Sequence, residues 1–148
     1  MRLFNKGLSV KEKRLTPIVV RSRAFCFECG LCCKNTEMIL TCYDIARIES
    51  LGYNREKFAV KRGGYYFLRN IDNRCFFYDE EKGTCKIYRC RPLGCSAYPV
   101  VYDVDIGSFI IDDYCPLARL FTNREIFEAS HILKHILSLL KENKERIT

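Results

Sequence analysis

Four cysteines fall within the run Cys26-Phe27-Glu28-Cys29-Gly30-Leu31-Cys32-Cys33, and no other stretch constrains the chain as strongly. A C-x2-C step lets one short turn aim two thiolates at a single metal ion. Here the step occurs twice in succession, with a glycine where the chain turns most tightly. Neighbouring side chains diverge, so Cys32 and Cys33 serve one tetrahedral ion poorly, and the adjacent pair points to two metal positions.

A chain of 148 residues, 48% of them apolar, fits one domain with its own core. No apolar run approaches the ~18 residues of a membrane span, and the segment from Met1 to Lys6 lacks the apolar stretch of a secretory signal. The expected location is the cytoplasm. Ten cysteines kept reduced there argue for thiolate ligation of metal over a disulfide scaffold, outside hyperthermophiles whose cytosol retains disulfides. The net charge of +7 is unevenly placed, because residues 1–24 carry Arg2, Lys6, Lys11, Lys13, Arg14, Arg21 and Arg23 against Glu12 alone. Such an arm suits the phosphates of nucleic acid or an acidic protein; equally, it is what a solvated extension looks like. The division expected is therefore a basic arm, 1–24, and a cysteine-rich domain, 25–148.

Local signals give an α+β reading, with short antiparallel strands and helices assembled around a multi-cysteine metal site and a long C-terminal helix. Residues 16–25 form an extended lead-in to the cysteine run, and Met38-Ile39-Leu40 reads as a strand. Thr41-Cys42-Tyr43-Asp44 makes a capping box, with Leu40 and Ile45 as its staple, and opens a helix over 42–51 that Gly52 closes. Ile45, Ile48 and Leu51 would face the core, with Cys42 as a small buried or half-buried thiol. Residues 54–60 suit a further helical turn. Tyr65–Leu68, Cys75–Tyr78 and Cys85–Tyr88 then read as a small antiparallel meander, and 98–111 as one more hairpin. Thr122-Asn123-Arg124-Glu125 opens the last helix, over 123–144, with an apolar stripe of Ile126, Ala129, Leu133, Ile136, Leu137 and Leu140. His131 and His135 lie opposite that stripe, and the face broadened by Ile132 and Leu139 could take a second partner.

Beyond the first run, Cys75, Cys85, Cys90, Cys95 and Cys115 are too widely spaced for one knuckle and must be gathered by folding. Metal and tertiary structure would then stabilise each other, leaving the metal-free chain largely unfolded or prone to aggregate. Eight of the nine cysteines other than Cys42 would make two closed four-thiolate zinc sites, with one left over. For iron–sulfur, Cys26-x2-Cys29-x2-Cys32 has the spacing of the first three ligands of a bacterial ferredoxin run, and Cys115-Pro116 supplies a distant Cys-Pro. A ferredoxin run holds no adjacent cysteine pair, however, and no C-x3-C-x2-C run supports radical chemistry on S-adenosylmethionine.

The linked motifs Phe25-Cys26-x2-Cys29-Gly30-x-Cys32-Cys33, Cys75-Phe76-Phe77 and Cys85-x-Ile87-Tyr88-x2-Arg91-Pro92-x2-Cys95-x2-Tyr98-Pro99 resemble the YkgJ family of cysteine-cluster proteins. The similarity covers residues 25 to about 116. It implies a compact zinc- or iron-chelating domain, often labelled an iron–sulfur oxidoreductase. As ligands it implies Cys26, Cys29, Cys32, Cys33, Cys75, Cys85 and Cys95, extended to Cys90 and Cys115. Tyr88 and Arg91 belong beside the cofactor. The Arg91 guanidinium either offsets thiolate charge and donates to sulfur, or anchors its turn on backbone carbonyls while Pro92 fixes the bend.

No glycine-rich nucleotide loop and no Ser-His-Asp set is present, so the metal would carry whatever chemistry exists. Three functions fit: an iron–sulfur or iron protein moving electrons to a redox partner or serving an oxidoreductase; a zinc-stabilised module binding nucleic acid or an acidic protein through its arm; and a store that hands metal on.

Overall fold

The computed structural model describes residues 33–116 and 118–147; the basic arm, the extended lead-in and Cys26, Cys29 and Cys32 lie outside the described residues. Among the described residues the architecture is α+β, built of short antiparallel strands and four α-helices ending in a long one.

The first strand, β1 (Ile39–Leu40), runs into α1 (Cys42–Ser50). Thr41 caps α1 as its sequence predicts, and both halves of the capping box are formed. Gly52, at φ 99°, closes the helix in the left-handed region, its N–H donating to the Glu49 carbonyl at 2.9 Å. Ile45 and Ile48 are buried as expected. Leu51 is the C-cap and is 48% exposed, because the chain has already begun to turn at that point. Cys42 is exposed, not buried: α1 turns its Asp44-Ile45-Ile48 face inward and leaves Cys42 on the opposite side.

One turn of helix, α2 (Arg55–Phe58), passes directly into β2 (Ala59–Arg62), so the expected helical segment is half strand. Gly63 (φ 58°) and Gly64 (φ 84°) make the two-residue turn into β3 (Tyr65–Leu68), a turn that needs positive φ at both positions. The sheet order is β1-β3-β2, with Leu40 and Lys61 both opposite Tyr66.

The expected strand over 75–78 is not continuous. Instead, β4 (Asn70–Ile71) pairs with β5 (Arg74–Cys75), and β6 (Tyr78–Asp79) with β7 (Thr84–Cys85), the two ladders being separated at Phe76-Phe77. A strand would send these two rings to opposite faces. Both instead pack edge-on against Tyr53, at 6.2 and 5.0 Å between centroids, and Phe77 is 1% exposed. Packing of both rings on Tyr53, with Phe77 buried, therefore overrides the meander.

A 3-10 turn at Tyr88–Cys90 leads to α3 (Leu93–Ala97), followed by the predicted hairpin β8 (Val100–Asp103) and β9 (Ser108–Ile111). The hairpin loops Asp79–Gly83 and Asp103–Gly107 share one solution: the aspartate Oδ1 accepts the N–H two residues on, and a glycine at positive φ returns its N–H to the aspartate carbonyl. The last helix, α4 (Asn123–Ile147), starts where Thr122 Oγ1 accepts from Glu125 N–H and runs three residues past the expected Lys144. Ala129, Leu133, Ile136 and Leu140 are buried against α3 and β8, whereas Ile126 and Leu137 are half-buried at the edge of the stripe. The two histidines of α4 are exposed. Among the described residues no helix is long and apolar enough to cross a membrane.

Candidate metal centre

Six of the nine predicted ligands fall among the described residues. Cys75 is buried at 5% exposure, and Cys33, Cys85, Cys90, Cys95 and Cys115 are half-buried. Each sits in or beside a turn that the rest of the fold pins down.

Cys33 is brought alongside Cys75 by an antiparallel bridge between Lys34 and Arg74, with Asn35 N–H donating to the Asn73 carbonyl at 2.9 Å. The Asn70 side chain holds this contact from the other direction. Its Oδ1 accepts from Thr36 N–H at 3.0 Å and its Nδ2 donates to the Thr36 carbonyl at 2.9 Å, so one amide replaces a rung of sheet. Cys85 lies opposite Tyr78, one ladder further on, and Lys86 N–H donates to the Phe77 carbonyl at 2.7 Å. The next turn closes where Cys90 N–H meets the Ile87 carbonyl at 2.7 Å.

Two buried aspartates then fix the remaining cysteine segments. Asp44, on α1, accepts from Leu93 N–H at 3.0 Å, and Arg47 donates to the Arg91 carbonyl at 2.9 Å; together they seat the start of α3, which carries Cys95. Asp112, 3% exposed, accepts from Tyr98 Oη at 3.0 Å and Tyr114 N–H at 3.1 Å, while its carbonyl accepts from Cys115 N–H at 3.2 Å. Cys33, Cys75, Cys85, Cys95 and Cys115 all have interaction partners in the fold. Among the described residues alone, no three or more His, Cys, Asp and Glu side chains gather into a metal site.

The bend at Arg91 is anchored from α1, because Arg47 donates to the Arg91 carbonyl. The Arg91 guanidinium stacks over Tyr88 at 4.0 Å from the ring centroid, and its Nε is buried without a hydrogen-bond acceptor among the described residues. The Nε atoms of Arg47 and Arg69 are in the same condition, and Arg69 is tied to the Cys75 turn through its carbonyl and Phe76 N–H. A buried donor without an acceptor is costly. Three of them on segments bonded to cysteine turns match a thiolate-rich, anionic centre, so the donor set and its surroundings fit zinc or iron.

A small α+β domain whose cysteines each sit in or beside a pinned turn is a cysteine-cluster domain. The chain belongs to the CxxCxxCC family, described by inference as a zinc- or iron-chelating domain, whose model matches residues 25–124. The resemblance read from the motifs is thus borne out, and metal chelation is the function ascribed to the family. An uncharacterized protein of Methanocaldococcus jannaschii is 29% identical over 121 residues, covering 75% of this chain and 64% of that relative. The chain thus spans less than two thirds of the relative's length. No solved structure matches the chain.

Proposed function

We propose that the chain holds iron through Cys26, Cys29, Cys32, Cys33, Cys75, Cys85, Cys90, Cys95 and Cys115, as an iron–sulfur cluster or as thiolate-bound iron, and passes electrons to a partner protein or serves as the redox part of an oxidoreductase. Iron in such a setting supplies one-electron chemistry. The chain's own residues would set how easily it is reduced. The observation carrying this reading is Arg91, whose cationic group is held against Tyr88 and whose Nε is buried without an acceptor among the described residues. A fixed cation beside thiolates stabilises the more negative, reduced state and so raises the potential. The aromatic wall of Tyr53, Phe58, Phe76 and Phe77 around the Cys75 turn would add to this by limiting water.

Arg91→Met removes the charge while keeping much of the stem. It is expected to lower the midpoint potential by tens of millivolts with iron content unchanged, in an anaerobic redox titration followed by electron paramagnetic resonance. An unchanged potential would reject the role given to Arg91, and a protein silent in both oxidation states would reject the redox reading itself.

A second reading, a zinc-stabilised module binding nucleic acid, is favoured by one surface feature. Arg55 of α2 and Lys61 of β2 lie over Tyr66, and Arg62 lies over Phe67, giving a cationic face that would add to the charge of the basic arm in binding phosphates.

A further inference from the structure

We infer that Asp44, supported by Arg47, is a positioning residue for the metal centre, although it is no ligand and lies on a helix that contributes none of the predicted ligands. The inference rests on the metal-binding reading and goes beyond it by naming what holds one ligand segment in place.

The sequence assigns Asp44 a single local task, the third helical position of a capping box. The structure gives its two oxygens separate tasks. Oδ2 faces back along its own helix and accepts from Thr41 N–H and Thr41 Oγ1, both at 2.9 Å. Oδ1 faces across the domain and accepts from Leu93 N–H at 3.0 Å and from Arg47 Nη2 at 3.2 Å. The same Arg47 Nη2 reaches the Arg91 carbonyl at 2.9 Å. One carboxylate, its side chain 0% exposed, thereby grips both ends of the Arg91-Pro92-Leu93 bend, by direct bond at Leu93 and through Arg47 at Arg91.

This bend separates Cys90 from Cys95. Cys90 ends a 3-10 turn and Cys95 lies in the middle of a five-residue helix, and elements that short do not hold their own orientation in water. Ligand geometry has to be imposed from outside, and the Asp44–Arg47 pair is rooted in a nine-residue helix whose Ile45 and Ile48 are in the core. A charged acceptor buried with all four of its donors in place is a strong, directional tether. Orienting groups of this kind are worth about 10- to 100-fold in metal affinity.

Three variants separate the tether from the cap. Asp44→Ala removes both, Thr41→Ala removes the cap hydroxyl and leaves the bond to Leu93, and Asp44→Asn can keep an oxygen on Leu93 and Arg47. The reduced chain would be loaded with Co2+, whose ligand-field spectrum reports the number and arrangement of thiolates, and its release into excess EDTA timed. The expected result for Asp44→Ala is release about 10- to 100-fold faster than wild type with an altered spectrum. Thr41→Ala should keep the wild-type spectrum and stay close to the wild-type rate, and Asp44→Asn should restore the spectrum. Equal release rates and identical spectra for Asp44→Ala and Thr41→Ala would overturn the inference while leaving metal binding intact. If Asp44→Ala does not fold, Arg47→Met decides: faster release supports the tether and an unchanged rate overturns it. A wild-type chain that takes up no Co2+ would defeat the metal-binding reading, and the inference with it.

Discussion

Stripping the metal from the reduced protein is expected to abolish its cooperative thermal transition and to lower the far-UV helical signal. Each ladder of the cysteine-bearing region, β4–β5 and β6–β7, has two residues per strand, far short of what stands alone in water. The consequence extends to the long helix, because the buried stripe of α4 rests on α3 and β8, and α3 carries Cys95. Thiolate ligation of a structural zinc ion is worth about 10–16 kcal/mol at neutral pH. A domain of this kind has a total margin of about 5–15 kcal/mol, so the metal term is as large as the whole stability. Circular dichroism before and after treatment with a strong chelator and a thiol reductant measures this directly. A metal-free protein that still melts cooperatively within a few degrees of the loaded one would contradict the coupling.

Phe77→Ala is expected to be the most damaging single core substitution, costing about 3–5 kcal/mol. The ring is 1% exposed and is packed by Tyr53, Phe58 and Phe76 at centroid distances of 5.0, 5.6 and 5.1 Å. Its backbone carbonyl also receives Lys86 N–H, beside Cys85, so the residue joins the Cys75 turn to the Cys85 ladder. Truncation should therefore lower both the denaturant midpoint and the metal content of purified protein. Phe109→Ala, at a half-buried outer position against Tyr102, is the control and should cost much less. Equal losses from the two would show that the aromatic cluster around Phe77 is not the centre of the core.

The features legible in the sequence were those written locally. Thr41 with Asp44, Thr122 with Glu125, Gly52 and the stripe of α4 are signals spanning a few residues, and the backbone obeys them. The hairpin read over 98–111 from its two apolar runs likewise forms, with strands over 100–103 and 108–111. What could not be read were choices settled by tertiary contact. Phe76-Phe77 had strand composition but turned so that both rings reach Tyr53. Cys42 had the character of a buried small residue, but the phase of α1 left it exposed.

The supports of the site are the clearest case of non-local information. Asn70 clamps Thr36 across 34 positions, and Asp44 holds Leu93 across 49. Asp44 was visible as a cap, and nothing in its neighbourhood signals the second oxygen's partner. Asp112 had no local signal beyond preceding Cys115, although it fixes Tyr98 and the Cys115 turn together. Cysteine spacing thus nominates ligands, whereas the residues that hold them appear only once the chain has folded.

Metal and acid-labile sulfide analysis, with an absorption spectrum, tests the proposed role most directly when the full chain is purified without oxygen and without a metal-binding tag. Brown protein containing iron together with acid-labile sulfide is the predicted result, with a redox titration following from it. Colourless protein with about two zinc ions per chain would contradict electron transfer and leave a structural module in its place.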